Sequence, residues 1–189
     1  MDRKKFLLTT AGAAPGLLFA GRIGKSLGPG MIRESDRIHA SGLQEPDPRG
    51  QTPEPFKTEL VKEFVIAGHG NLVKTQSMVK DYPNLVFSKF DWGTGDFEGA
   101  IEGAGHMGNR AIAEFLIDSG SRVTLFVLAM LGRTDLVRPV LEAYPKLIFA
   151  NGPHGFTMLH HAKLAGKEGE ALYSYLQEKG LKETWVKIK

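Results

Sequence analysis

The chain has 189 residues, room for one domain plus an extension at about 150 residues per domain, and 42% hydrophobic with 24% charged residues is a balance that can build a soluble core. Residues 1–50 hold eight Lys/Arg against five Asp/Glu and residues 51–189 hold sixteen of each, so the net charge of +3 sits in the N-terminal part and the neutral body lacks the clustered basic face that nucleic acid needs. The absence of cysteine excludes disulfides, thiolate catalysis and thiolate metal sites, and no apolar run reaches the ~20 residues of a membrane span.

At the N-terminus Arg3, Lys4 and Lys5 precede a weakly apolar stretch from Phe6 to Ala20, the layout of an export signal. The run Arg3-Lys4-Lys5-Phe6-Leu7 resembles the twin-arginine signal, with Lys4 in place of the second arginine. Residues 1–27 are therefore expected to be an export signal, giving a periplasmic or otherwise exported mature chain without a membrane span; without a functional signal the chain would stay cytoplasmic. Residues 28–55 carry five of the ten prolines and no period of 2 or 3.6, which predicts a Pro-rich linker. Residues 56–189 are left for a folded domain.

That domain repeats itself. Gly108 to Gly120 aligns without a gap over Gly132 to Tyr144, and apolar residues coincide at Ile112/Leu136, Ala113/Val137, Leu116/Val140 and Ile117/Leu141, one face of a helix. Gly70 to Tyr82 fits the same frame, its tail Tyr82-Pro83-Asn84-Leu85-Val86 returns as Tyr144-Pro145-Lys146-Leu147-Ile148, and a fourth copy runs from Gly166 to Gly180. Each of these helices follows another short apolar one. Gly108, Gly132 and Gly166 suit the positive φ that ends a first helix. Thr134 is expected to cap the second helix of the third repeat, with Pro139 inside that helix and a kink there.

The fourth first helix reads Gly155-Phe156-Thr157-Met158-Leu159-His160-His161-Ala162-Lys163-Leu164-Ala165-Gly166, and here the chain resembles the ankyrin repeat family. The family's G-x-T-P-L-H-x-A-x-x-x-G is matched at Gly155, Thr157, Leu159, His160, Ala162 and Gly166, with Met158 replacing proline. The second repeat keeps Ile101, Ala104, Gly108 and Gly120 but has Gly99, Ala100 and Glu102 in place of T-P-H; the third keeps Leu125 and Gly132. In the first, Glu63 stands where an inward Leu is expected, as in a polar cap. The resemblance spans about residues 57–180 and implies an all-α fold, an ankyrin solenoid of about four helix-turn-helix repeats.

No nucleophile elbow, phosphate loop or His-Glu-x-x-His occurs, and the Gly103 to Gly108 match to G-x-G-x-x-G lacks the strand that a dinucleotide fold places before it. An enzyme and a cofactor are not expected. The resemblance makes His160 a structural histidine that ties neighbouring loops. His69 and His106 end first helices in adjacent repeats and could approach within about 10 Å, but a shared metal needs further ligands that the spacing does not name. Asp96 and Glu98 read as acids that stabilise a helix start.

The resemblance also implies partner-binding positions just before each helix-ending glycine and on the connecting fingers. They fall on Asp96, Glu98, His106, Met107, Arg122, Met130, His154, Phe156 and Leu164. Phe90 and Trp92 join them on an elongated, Gly-flanked finger, where a paired aromatic tip can anchor a partner or fold back on the linker. The Met/Leu stripe can equally be core. The expected function is a non-catalytic protein–protein interaction scaffold with an unidentified protein partner. The alternative is a small-molecule or metal-binding accessory protein of the periplasm using His69, His106 and His154.

Overall fold

The computed structural model describes residues 53–188, in which helices dominate. The expected export signal and the linker up to residue 52 lie outside the described residues. Eight α-helices follow in chain order among the described residues: α1 (Thr58–Gly68), α2 (Leu72–Asp81), α3 (Ala100–Met107), α4 (Arg110–Asp118), α5 (Leu125–Met130), α6 (Thr134–Ala143), α7 (Met158–Leu164) and α8 (Glu170–Glu178). Between α2 and α3 a two-stranded antiparallel finger pairs β1 (Phe90–Asp91) with β2 (Phe97–Glu98) in the register Phe90 opposite Glu98.

The helices come as four consecutive pairs, and the first members touch in chain order: α1 packs on α3, α3 on α5, and α5 on α7. Each pair buries a stripe too small to be stable alone, so neighbours complete one another's core. One cluster joins Phe64, Ile101, Ala104, Ile112, Leu116 and Val127; the next joins Val137, Leu141, Leu159, Leu172 and Leu176. The turns within the later pairs use Gly108 at φ 72°, Gly132 at 74° and Gly166 at 60°, the left-handed conformation expected of those glycines. The repeated Tyr-Pro tails are 3-10 turns, Pro83–Phe87 and Pro145–Phe149, which bury Leu85, Val86 and Ile148.

Three local expectations are corrected. Leu136, aligned with the buried Ile112, is 43% exposed, because α6 turns Val137 and Leu141 inward. Arg133 occupies the N-cap of α6 and Thr134 is the first helical residue, its buried hydroxyl unpartnered. Pro139 does lie inside α6. Met130 is only 1% exposed and belongs to the core, so it is no partner contact: α5 is a six-residue helix, and both α3 and α7 pack against it. Glu63 is exposed on α1 and pairs with Lys74 at 2.7 Å, which keeps it out of the core.

Candidate metal centre

Four side chains from four segments converge at the base of the finger. His69 is the C-cap of α1, and its Nδ1 lies 2.9 Å from the Val65 carbonyl oxygen, to which it donates. That contact orients the ring and turns Nε2 toward Glu98 Oε1, 3.5 Å away. His106 stands in the last turn of α3, stacked on Phe156 at 5.0 Å, with Nδ1 3.1 Å from the same Glu98 oxygen. His154 contributes Nε2, 3.2 Å from Glu98 Oε2. Glu98 itself, on β2, is 0% exposed. The four donor atoms lie within 4.8 Å of one another.

The supporting contacts are as specific as the donors. The Trp92 indole N–H donates to Glu98 Oε2 at 2.7 Å, and the indole packs edge-on against Phe90 and His154. His154 has φ 58°, rare for a residue with a side chain, and such strain persists where surroundings over-determine it. Asp96 supplies that hold twice. Its Oδ1 accepts the His154 backbone N–H at 2.9 Å and its Oδ2 accepts from Nδ1 at 2.8 Å, which turns Nε2 to Glu98. From the other side, the Trp185 indole donates to the His154 carbonyl, and Val186 N–H donates to Gly155 O. Gly103 opens the space for His69: a Cβ there would lie 2.8 Å from the imidazole.

Burial raises the pKa of Glu98, but the surrounding imidazoles of His106, His69 and His154 outweigh it and hold its carboxyl below the usual range. The group is an anion at neutral pH. Glu98 Oε1 and His106 Nδ1 are nevertheless buried without a hydrogen-bond partner, close enough to bond but not aligned to do so. Three imidazole nitrogens and a carboxylate oxygen form a donor set that suits a divalent transition metal.

The residues expected from sequence to meet a partner divide here. Glu98 and His106 are buried in the cluster rather than presented, because the fingers before α3 and α7 close over them. Asp96 and Glu98 do not serve the start of α3, where Glu102 accepts the Gly99 N–H instead. Phe90, Trp92, His154 and Phe156 are half-buried around the cluster, and Trp92 is tied to Glu98 rather than free at a tip. Met107, Leu164 and Arg122 are exposed, the guanidinium of Arg122 lying 5.4 Å over the Phe87 ring. His160 Nε2 meets the His106 carbonyl oxygen at 2.9 Å, a tie between α7 and α3, whereas His161 is buried against Phe126. Sequence reasoning missed Glu98 as a donor and Asp96 as the clamp on His154. Fifty-six and fifty-eight residues separate those partners, so no local spacing carries the signal. No protein-family model matches this chain, and no curated protein or solved structure does either.

Proposed function

We propose that the chain is an ankyrin solenoid that works as a non-catalytic protein-binding scaffold, delivered outside the cytoplasm by its N-terminal segment. The in-order stacking of the first helices supports the solenoid, and one observation carries the binding role. Met107 and Leu164, which end the first helices α3 and α7, are 56% and 41% exposed, and Leu164 lies over Gly108, next to Met107. Two large apolar side chains thus stand exposed at the ends of two helices that pack together, where their hydration is unfavourable unless a partner covers them. The export reading rests on Arg3 to Ala20.

The test uses the full chain, tagged and expressed in its native host, beside a Met107→Glu/Leu164→Glu variant. A polypeptide should co-elute stoichiometrically with the wild type from the envelope fraction and be lost from the variant by at least tenfold, about 1.4 kcal/mol, at unchanged melting temperature. Equal retention by both proteins, or recovery of uncleaved chain solely in the cytoplasm, would refute the corresponding half of the reading.

A further inference from the structure

We propose that His69, Glu98, His106 and His154 bind one divalent first-row transition-metal ion, with zinc as the working case, and that the ion cross-links α1, the finger, α3 and the turn at Pro153–Gly155.

Donor geometry is the first support. Metal–nitrogen and metal–oxygen bonds of about 2.0–2.2 Å place tetrahedral donors about 3.3–3.6 Å apart. Glu98 Oε1 lies 3.1 Å from His106 Nδ1 and 3.5 Å from His69 Nε2, Glu98 Oε2 lies 3.2 Å from His154 Nε2, and one donor atom from each of the four residues falls within 4.8 Å of the others, so an ion has to draw the widest pair together. Hydrogen bonding is the second. His69 and His154 each hold Nδ1 on an oxygen, a main-chain carbonyl in one case and the Asp96 carboxylate in the other, so both rings turn Nε2 toward Glu98, at 3.5 Å from Oε1 and 3.2 Å from Oε2. Carboxylate–histidine and carbonyl–histidine contacts of this kind orient imidazoles on metals. His106 Nδ1 and Glu98 Oε1 are buried and unpartnered. A single cation between the donors gives these two buried atoms a partner.

Charge and space are the third and fourth supports. Glu98 and Asp96 bring two carboxylates to the imidazoles; Lys89 is engaged by Glu102 at 2.7 Å, and Lys62 lies over the Phe90 and Trp92 rings, 5.4 and 5.7 Å from their centroids. A dication neutralises the pair. Gly103, inside α3 where glycine is less favourable than alanine, leaves the room that the His69 ring occupies. The donor set is rich in imidazole and free of thiolate, which favours zinc, copper, nickel or iron over magnesium or calcium. Four protein donors complete a tetrahedron, so the ion has a structural role in which binding energy adds to the stability of the segments it joins.

The experiment strips the purified full chain with a chelator and titrates it with zinc chloride in calorimetry, with melting temperature followed in parallel. One zinc should bind per chain at submicromolar Kd and raise the melting temperature by several degrees. Glu98→Gln and His154→Gln should each weaken binding by at least 100-fold, and Asp96→Asn by about 10-fold to 100-fold through the released His154. Should Glu98→Gln fail to fold, as circular dichroism of the metal-free protein would reveal, His69→Gln supplies the same readout from a part-exposed position. Cobalt(II) substituted for zinc should give the intense visible absorption of a tetrahedral centre, lost in His154→Gln. Absence of binding by the wild type would overturn the proposal. So would zinc retained by the Glu98→Gln/His154→Gln double variant, since His39, His160 or His161 would then be holding it.

Discussion

His161 and His160 are neighbours in sequence with opposite surroundings. His161 is buried, donates Nδ1–H to the Thr157 carbonyl at 2.8 Å, and burial lowers its pKa to about 4. Because the unfolded chain takes up this proton first, near the ordinary 6.5, the contribution is complete above that pH and is lost as pH falls toward 4, by about 3 kcal/mol in all. Urea titrations of metal-free protein from pH 7 to 4 should therefore slope less steeply for His161→Gln than for the wild type; parallel profiles would contradict this. Trp92 tests a part-buried bond. Trp92→Phe keeps ring contact with Phe90 and His154 but takes the donor from Glu98, and should destabilise the metal-free protein by about 1–3 kcal/mol. An unchanged denaturation midpoint would mean that water replaces the indole.

Among the elements, the fingers depart furthest from simple helix pairs. Asp91 shapes the tip of the first by accepting the N–H groups of Gly93 and Gly95, which turns Trp92 back over Glu98. The second, at Pro153–Gly155, is held by the C-terminal segment: Thr157 N–H and hydroxyl donate to the carbonyls of Thr184 and Glu183, and Phe156 bridges Trp185. The threonine that matches the repeat motif spends its hydroxyl on this strap and makes no side-chain cap to α7. Gly155, at φ 80°, lies against the Val186 carbonyl, where a Cβ would collide. Gly155→Ala should combine backbone strain with displacement of the strap, costing about 2 kcal/mol or more. Its denaturation midpoint, with Trp185 fluorescence as a local probe, checks both effects; a normal midpoint with native fluorescence would show that the strap is dispensable.

At the scale of the whole molecule, stability passes between neighbouring helix pairs. The cluster around Leu159, Leu172 and Leu176 also includes Val137 and Leu141 from α6 and Ala129 from α5. Removing the chain after Gly152 should therefore unfold α5 and α6 along with the lost helices, while α1 to α4 keep part of their core. Hydrogen exchange of the truncated protein measures this directly: protection retained through α6 would mean that each pair is stable alone. The same truncation removes His154, so zinc affinity and the integrity of α5 and α6 should fall together.

Hydrophobic period and turn chemistry are local, so the sequence alone located the helix pairs, their left-handed glycines and the inward Leu159, and it marked the stretch around Trp92 as an elongated finger. It also placed His69 and His106 at the ends of adjacent first helices, where their rings lie 4.8 Å apart. The rotation of each helix about its own axis depends on its neighbours, which is why Leu136 is exposed while Ile112 is buried. The cluster depended on tertiary structure for the same reason. His154 reaches Asp96 and Glu98 where α7 packs on α3 as well as on α5. Distances across a stack are set by how its layers pack, and the residues that pack do not record them in their spacing along the chain.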